Sequence, residues 1–509
     1  MSKHRLLVLG SALLVALGLV SYAAAGSKSA ATRAAASGSI TIALGGEPTT
    51  LDPLLKEDGN SDWVTNSIFD TLLARSTDGK KLFPKLAASM PKLINKTTWQ
   101  VKLRSGIKFS DGEPMNADAV VFSINRIINP KYNSEQVEFV GTIKKAVKVN
   151  DSTVNILTKG PDPVLPSRLY WVRIVAPQAT AKSDSASHPV GTGPYLFKEW
   201  ARGDHITITA NPNYWGSPKP SIQTITYKFV PEEGAQLAGL ISGQYDLITS
   251  LLPDEVKRAP KAVITAGNEH PMLIPNAKPG SGITSDARVR QALNYAIDKN
   301  ALASKLYDGY AVPDAGQTLS PSWFGYNPKV KAYPYNPAKA KALLKAAHAT
   351  GKSITIATES GRWLNDKILV ESVAQYWRAV GLKVTVNVEA FNTWLNQLFD
   401  SKHRPQVIFV STDNPIYDAD RTLSTYYESS GGGASNSDAQ MKKWIDQART
   451  ETNVSKRLGL YHKAVAKANK QAYLVWLLNL KNVWGMSKQL QWQPRQDGFM
   501  YDNTMKLSG

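Results

Sequence analysis

Three acidic residues follow one apolar run toward the end of the chain. The run VIFV, residues 407–410, is apolar and β-branched, which predicts a buried strand, and Asp413, Asp418 and Asp420 come shortly after it. Ligands of α/β folds bind beyond the carboxyl ends of strands. These carboxylates are therefore candidates for binding a cationic group of a ligand, and solvated acids of a turn are the alternative interpretation.

Motifs for catalysis or metal binding are missing from the sequence. The seven histidines include no pair at the i, i+4 spacing of a helical zinc site. There is no G-x-S-x-G nucleophile motif, no glycine-rich phosphate motif and no cysteine. The sequence thus predicts no catalytic residue, no metal site and no cofactor, and a secreted hydrolase is kept as an alternative.

Two glycines and two prolines precede an aromatic segment in HPVGTGPYLFKEW, residues 188–200. Gly191 and Gly193 are expected to supply positive φ angles, and Pro189 and Pro194 hold φ near about −65°. The pattern departs from the dinucleotide-binding motif where the helix of that motif should begin. It predicts a turn that leads into a strand, rather than a phosphate cradle or a catalytic loop.

Several of the 13 tryptophans and 20 tyrosines fall in predicted loops. Their rings combine a large apolar area with a polar group, which suits binding surfaces. Trp171 and Tyr417 are therefore added to the candidate ligand-binding residues, and packing in the core is the alternative for both.

The N-terminus has the three parts of a secretory signal peptide in residues 1–25. A basic start is followed by the apolar run Leu6–Val20 and by an A-x-A site at residues 23–25, so we expect cleavage before Gly26. The apolar run is shorter than the roughly 20 residues that span a bilayer, which disfavours an uncleaved anchor. Residues 26–37 are small and polar and predict a flexible tether.

Length and charge limit the remaining classes of protein. A chain of 509 residues exceeds the roughly 250 to 300 residues that one core supports, so we expect at least two domains. The formal charge is +19, and removal of the signal peptide takes away two basic residues and leaves +17. This charge suggests adhesion to an anionic envelope or attraction of acidic ligands. The basic residues are scattered without a recognition motif, so nucleic acid is not an expected partner.

Helical and strand patterns alternate along the chain, which predicts an α/β protein with a largely parallel sheet in its second half. One helix is expected from Ser285 or Asp286 to Gly309. Further helices are predicted at residues 336–351 and 365–381, with strands at 353–360 and 383–391.

Several segments, taken in their order, resemble the extracytoplasmic solute-binding proteins of peptide/nickel-type ABC transporters, which include the dipeptide- and oligopeptide-binding proteins (family 5). GSITIALGGEPTTLDP, residues 38–53, is similar to the first strand and the following loop of that family. LRSGIKFSDGEPMNADAVVFSINRI, residues 103–127, is similar to a highly specific family signature, and the GTGPY segment and the helix near residue 286 also match. The resemblance covers nearly all of residues 38–509.

The resemblance implies an α/β, two-lobe periplasmic-binding-protein fold of class II, similar to cluster C, with an extra subdomain inserted in lobe I and a two-strand hinge. It places lobe I at residues 38–268 and again at 478–509. The inserted subdomain is expected at about residues 82–188, and lobe II at 269–477.

The resemblance also implies a ligand site. Gly46, Glu47 and Pro48 lie in the loop after the first strand, and Asp413 matches the acid that receives the ammonium group of a peptide in this family. Asp418 and Asp420 lie farther along a loop that is longer here.

A tryptophan precedes that acid in many relatives, whereas this chain has valine or serine there. This difference argues against an ordinary peptide. The expected ligand is a peptide or a peptide-like solute, with an opine or another guanidino compound, an oligosaccharide and a nickel chelate as alternatives.

The function implied by the resemblance is solute capture for an ABC importer, without catalysis. Hinge closure would trap the solute between the lobes, and membrane permease subunits would receive it. The expected protein is a monomer that is periplasmic or secreted, because a chain without cysteine has no site for the lipid anchor of a lipoprotein.

Overall fold

The computed structural model describes residues 38–56, 58–182, 184–360, 362–400 and 404–508. The predicted signal peptide and tether lie outside the described residues. Within those ranges, no helix combines the length and the apolar character needed to cross a bilayer.

The described residues form the following strands: β1 Ser39–Leu44, β2 Leu73–Arg75, β3 Leu82–Pro84, β4 Lys92–Asn95, β5 Thr98–Lys102, β6 Ile143–Asn150, β7 Thr153–Thr158, β8 Tyr195–Ala201, β9 His205–Ala210, β10 Thr224–Phe229, β11 Leu247–Ile248, β12 Lys261–Ala266, β13 His270–Pro275, β14 Ala311–Pro313, β15 Ser353–Thr358, β16 Lys383–Val388, β17 Val407–Thr412, β18 Val475–Trp476, β19 Leu478–Met486, β20 Leu490–Gln491 and β21 Lys506–Leu507.

The α-helices of the described residues are Gly59–Ile68, Ala117–Ile127, Val137–Val140, Leu165–Leu169, Pro177–Thr180, Glu233–Ile241, Ala287–Tyr295, Lys299–Leu306, Pro337–Ala346, Asp366–Ala379, Phe391–Phe399, Ala419–Thr422, Ala439–Thr450 and Val454–Gln471. A π-helical turn, Leu423–Tyr427, continues directly from the helix Ala419–Thr422.

The first lobe is organised around a sheet with the strand order β12-β19-β11-β1-β10-β9-β8, and β14 pairs with β19 at its side. The central strand β1 is parallel to both β10 and β11. Its alternating sequence SITIAL places Ile40, Ile42 and Leu44 in the main core of this lobe and Ala43 in the smaller core on the other face. Successive side chains of β1 point to opposite faces of the sheet, and both faces are covered by a core.

The second lobe has a sheet with the order β16-β15-β17-β13-β18. Strands β15, β16 and β17 are parallel, so their carboxyl ends lie at one edge. Both faces of β17 are buried, with Phe409 in one core and Ile408 and Val410 in the other. This burial on two faces explains why the sequence of β17 is a continuous apolar run.

The subdomain in lobe I has a sheet with the order β4-β5-β7-β6. The helix Ala117–Ile127 packs on this sheet, and its N-terminus is capped by the Asn116 side chain, which accepts hydrogen bonds from the backbone of Asp118 and Ala119. The predicted α/β two-lobe fold with an inserted subdomain is confirmed by this arrangement.

Two neighbouring segments connect the lobes. The chain leaves lobe I at the end of β12 and enters lobe II at β13, and it returns from β18 to β19. Strand β12 pairs with β19, and β13 pairs with β18, so the two crossings run side by side in opposite directions. The backbone N–H of Leu480 donates to the carbonyl of Glu269 at 2.9 Å between these crossings. This is the geometry of a two-strand hinge.

The helix that we expect from residue 285 or 286 to Gly309 is two helices, so this prediction is wrong in its extent. Asp286 caps Ala287–Tyr295, and Asp298 caps Lys299–Leu306 by accepting a hydrogen bond from the backbone of Ala301 at 2.9 Å. The carboxylate of Asp298 starts a new helix where the apolar pattern alone suggests continuity.

The GTGPY segment is a turn that leads into β8, as the sequence predicts. The positive φ angles that we expect at Gly191 and Gly193 are wrong, since neither has one. Both positions require glycine because the chain passes close to the backbone of Ile68. A Cβ at Gly191 would lie 2.0 Å from the carbonyl oxygen of Ile68, and the N–H of Gly193 donates to that oxygen at 2.8 Å.

Candidate functional site

The carboxyl ends of parallel strands from both lobes face one cavity. The segment 249–252 follows β11 of lobe I, and Arg362 and Trp363 follow β15 of lobe II. Together with Lys481 of the hinge strand β19, they line a cavity of about 600 Å³. This is the edge at which α/β sheets bind ligands, so the interlobe cavity is the candidate site.

Arg362 supplies a positive charge to this cavity. Its side chain is 49% exposed and lies 3.5 Å from the carboxylate of Glu359. The guanidinium lies over the rings of Trp363, Phe391 and Trp394, at 5.2, 5.0 and 6.0 Å from their centroids. Aromatic rings hold a guanidinium in place while leaving its N–H groups available to a ligand.

Asp413 lies directly after β17, where the sequence predicts it. Its side chain is 57% exposed, and Arg421 Nη1 is 3.5 Å from its carboxylate and donates to its backbone carbonyl at 2.8 Å. Because this carboxylate is exposed, a ligand can reach it without disturbing the packing of the core.

Glu269 adds a second acid from the hinge. Ser411 Oγ donates to its carboxylate at 2.7 Å. Burial raises the pKa of Glu269, the hydrogen bond from Ser411 opposes this rise, and the negative charge of Asp413 adds to it. His270 and Arg362 lower the pKa of Glu269 by weaker electrostatic effects. The hinge carboxylate is therefore close enough to both Asp413 and Arg362 to sense their charges.

Asp418 is buried and paired within lobe II. Its oxygens accept hydrogen bonds from Arg457 at 2.8 and 2.5 Å, and its side chain also caps the helix Ala419–Thr422. The pair is bidentate, which fixes the carboxylate in one orientation.

Asp420 is buried and paired across the lobes. Arg168 of the subdomain lies 3.0 Å from its Oδ2, and Arg449 of lobe II lies 3.3 Å from its Oδ1. Burial raises the pKa of Asp420, and the positive charge of Arg168 is the largest effect that opposes this rise. Asp420 thus neutralises cations of both lobes.

Tyr417 crosses from lobe II into lobe I. It has a positive φ of 55°, and its hydroxyl is bonded to the amide of Asn268 in the hinge at 2.5 Å. Its ring lies 4.5 Å from the guanidinium of Arg75, which also donates to the carbonyl of Ile416 at 3.1 Å. A Cβ at Gly79 would lie 2.0 Å from the ring, so the tyrosine packs directly on the backbone of lobe I.

The loop after β1 is held by its own side chains. Glu47 accepts hydrogen bonds from the indole N–H of Trp200 at 2.8 Å and from the backbone of Gly203 at 3.1 Å. Pro48 is buried, and a Cβ at Gly46 would lie 3.1 Å from the amide nitrogen of Asn60. The carboxylate of Glu47 therefore fixes the β8–β9 turn.

Trp171 is buried in lobe I between Phe139 and Phe499, with ring centroids 4.5 and 5.4 Å away. Its indole N–H donates to the side chain of Gln136. The structure places this ring in the core, behind Phe139, and thus does not bring it together with Asp413 and Arg362.

Sequence reasoning missed Arg362 and Glu269. Arg362 follows β15 in the way that Asp413 follows β17, so the strand-end argument applied to both parallel strands would have found it. Glu269 carries no comparable signal, because its position depends on the crossing between lobes. Among the described residues, no group of histidine, aspartate and glutamate side chains could hold a metal ion.

The fold and the cleft define a two-lobe binding protein, and comparison with known proteins identifies the family. The family profile of the bacterial extracellular solute-binding proteins, family 5, matches residues 81–434. The chain therefore belongs to family 5 of the bacterial extracellular solute-binding proteins.

Characterised relatives match over much of their length. The chain is 31% identical to the glutathione-binding protein GsiB of Pectobacterium atrosepticum over 354 residues, which are 68% of each chain. It is 30% identical to GsiB of Salmonella typhi over 389 residues, covering 73% of this chain and 72% of that protein.

Solved structures share the fold. HbpA2 from Haemophilus parasuis superposes with a TM-score of 0.82 at 21% identity, covering 92% of this chain and 100% of that one. DppA from Helicobacter pylori, solved in complex with the peptide STSA, superposes with a TM-score of 0.74 at 24% identity, covering 92% and 98%.

Proposed function

We propose that this protein captures a peptide or a peptide-like solute for an ABC importer and delivers it to membrane permease subunits. The observation that carries the proposal is the nearness of opposite charges at the interlobe cleft: Arg362 lines the cavity, and the hinge acid Glu269 senses the charges of both Arg362 and Asp413. A peptide has an ammonium group and a carboxylate at its two ends, so it complements both charges. The names of the GsiB relatives support a ligand of the peptide class.

In this proposal Asp413 receives the ammonium group and Arg362 the carboxylate. A guanidinium binds a carboxylate through two parallel hydrogen bonds, and the three rings around Arg362 limit its rotation. Glu269 adds negative charge from the hinge beside the ammonium position. The loop from Gly46 to Pro48 forms the rim of lobe I in this arrangement.

Capture would proceed by rotation about the two crossings between the lobes. We place lobe I at residues 38–268 and 478–509 and lobe II at 269–477, with the inserted subdomain at 82–188. A ligand shifts the open and closed populations only by its difference in affinity for the two forms. A change from 1:99 to 99:1 requires about 5.5 kcal/mol, which one charged contact at each end and a few hydrogen bonds can supply.

We further propose that the protein acts as an exported monomer without catalysis and that its signal peptide is removed before Gly26. Neither nucleic acid nor a cofactor takes part. A peptide recovered intact after prolonged incubation with the protein would agree with this, whereas turnover that survives repurification would favour a hydrolase.

Calorimetric titration with glutathione and with a set of dipeptides tests the ligand class. We expect at least one peptide to bind, and Arg362→Gln to weaken that binding tenfold or more, since a charge-assisted contact is lost. Arg258→Gln is the matched control, because Arg258 is exposed and, among the described residues, pairs with Glu255 alone.

Native mass spectrometry of the purified protein provides an independent readout. A co-purified peptide mass would support the proposal, and an opine, a sugar or a metal chelate would overturn its ligand class. Binding of the peptides with equal affinity by wild type and Arg362→Gln would overturn the role of Arg362.

A further inference from the structure

A buried glutamate lies beside Arg362 at the interlobe site. Glu359 comes directly after β15, and its side chain is 6% exposed. Its Oε1 lies 3.5 Å from Nε of Arg362, whereas ordinary N–H···O hydrogen bonds measure about 2.7 to 3.2 Å. None of the described groups donates a hydrogen bond to this oxygen. A buried carboxylate oxygen without a donor costs free energy, which a small shift of the neighbouring guanidinium would recover.

The guanidinium of Arg362 can donate from two edges. Its Nε lies toward Glu359, whereas the two Nη groups form another edge of the same plane. A solute carboxylate can accept two parallel hydrogen bonds from the Nη edge while Glu359 accepts one from Nε. One arginine can thus bind a protein acid and the solute at the same time.

Other contacts fix the orientation of Arg362 only in part. Asp366 Oδ2 accepts hydrogen bonds from the backbone N–H groups of Arg362 and Trp363 at 3.1 Å each, which holds the base of the side chain. The three rings around Arg362 attract its positive charge but do not select the edge of the guanidinium that faces the cavity. An acceptor beside Nε selects that edge, and Glu359 supplies this acceptor.

The charges of Glu359 and Arg362 also influence each other. Burial raises the pKa of Glu359, the positive charge of Arg362 opposes this rise, and the negative charge of Asp366 adds to it. The guanidinium thus favours the ionised carboxylate. An ionised carboxylate is in turn the stronger acceptor for the Nε–H group.

We propose that Glu359 is a positioning residue for Arg362: it accepts a hydrogen bond from Nε and thereby turns the Nη edge toward the carboxylate of the solute. This inference rests on the proposed function, in which Arg362 receives that carboxylate. Because Glu359 is itself negative, its charge alone would repel the solute carboxylate. Positioning by a hydrogen bond and action through charge therefore predict opposite effects when Glu359 is removed.

Two substitutions at Glu359 separate the hydrogen bond from the charge. Glu359→Gln keeps an acceptor oxygen and loses the charge, whereas Glu359→Leu loses both. In calorimetric titrations of the full-length exported protein with the dipeptide that binds wild type most tightly, we expect Glu359→Leu to weaken binding tenfold or more. Glu359→Gln should stay within threefold of wild type, because its amide oxygen can still accept from Nε.

The effect of Glu359→Leu should depend on both partners of the carboxylate contact. With the C-terminal amide of the same dipeptide, or in the Arg362→Gln background, Glu359→Leu should change the affinity less than twofold. In the first case no solute carboxylate is present, and in the second no guanidinium is present to be oriented. A general loss of structure would instead weaken binding of the dipeptide and of its amide alike.

Glu428→Gln and Glu428→Leu are the matched controls. Glu428 is another acid of lobe II with a side chain that is only 5% exposed, and it pairs with Lys442 at 2.9 Å away from the cavity that Arg362 lines. These variants should change the affinity less than twofold, even where they lower the melting temperature. Equal affinities of the two Glu359 variants, whether tighter or weaker than wild type, would overturn the positioning role and leave the proposed function standing. Failure of every dipeptide to bind wild type would instead overturn the proposed function.

Discussion

Arg168 and Asp420 join the two lobes through a buried ion pair, with 3.0 Å between Nη2 and Oδ2, although they are 252 residues apart in sequence. Arg168 belongs to the subdomain of lobe I and Asp420 to the loop that follows β17. Because the pair spans the two lobes, we expect it to stabilise the closed form in addition to the contacts of the solute.

Asp420→Asn should therefore favour the open form. Removal of one partner from a buried ion pair costs about 3 to 5 kcal/mol, although Asp162 remains near Arg168 and will reduce this cost. We expect a larger radius of gyration of the unliganded protein in small-angle scattering and weaker solute binding. Asp446→Asn is the control, because it removes an exposed partner of the same Arg449 within lobe II. Identical scattering of wild type and Asp420→Asn would contradict a role of the pair in closure.

Tyr417 and Gly79 provide a second test of closure. A Cβ at Gly79 would lie 2.0 Å from the ring of Tyr417, so Gly79→Ala should push the lobes apart and weaken solute binding. Gly106→Ala is the matched control: its φ of 76° is close to the 75° of Gly79, and a Cβ there meets nothing within 4 Å. Both variants pay the same backbone cost of about 1 kcal/mol, and only Gly79→Ala should lose affinity. Equal solute affinities of the two variants would contradict a role of the Tyr417–Gly79 contact in closure.

Asp413→Asn should weaken binding of the solute by about 2 to 5 kcal/mol, or roughly 30-fold or more, if its carboxylate pairs with an ammonium group. The melting temperature of the free protein should change little, because the side chain is 57% exposed. Calorimetric titration with the best-binding peptide measures the effect, and the exposed acid Asp254 supplies the control Asp254→Asn. A loss below threefold would indicate that Asp413 only forms a turn.

Asp502 should make stability depend on pH. Burial raises its pKa to about 6 from an ordinary value of 3.8, and hydrogen bonds from Tyr227 and Ser67 oppose the rise. The folded protein therefore holds this proton more tightly than the unfolded chain, so its stabilising contribution is present below about pH 4 and is lost as the pH rises through 6.

Asp502→Asn should remove this dependence. Relative to wild type, the free energy of unfolding of the variant should increase by roughly 2 kcal/mol between pH 4 and pH 7, because a carboxylate with the ordinary pKa of 3.8 is already partly ionised in the unfolded chain at pH 4. Denaturant unfolding at both pH values measures these free energies. For the control Asp254→Asn, the difference from wild type should be the same at pH 4 and pH 7. A pH-independent difference for Asp502→Asn would mean that its pKa is not raised in the folded state.

Export should remove residues 1–25. N-terminal sequencing of the exported protein is expected to begin at Gly26, since the A-x-A site precedes it. Retention of Met1 in a membrane fraction would instead indicate an uncleaved anchor.

The sequence by itself determined the class of fold and the family. Alternation in β1, the continuous apolar run of β17 and the side-chain caps at Asn116 and Asp286 are local patterns, and local patterns suffice to place strands and helices. The position of Asp413 after a buried strand follows from the same reasoning.

Only the tertiary structure decided which charges remain for a ligand. Asp413, Asp418 and Asp420 look alike in sequence, yet Arg457 binds the second and Arg168 binds the third. These partners come from other parts of the chain, and the arrangement of the two lobes brings Arg168 to Asp420. Asp413 also has a cation nearby, Arg421 at 3.5 Å, but its side chain is 57% exposed, whereas those of Asp418 and Asp420 are buried. Burial with a protein cation removes a carboxylate from the reach of a solute, so Asp413 is the accessible acid of the three.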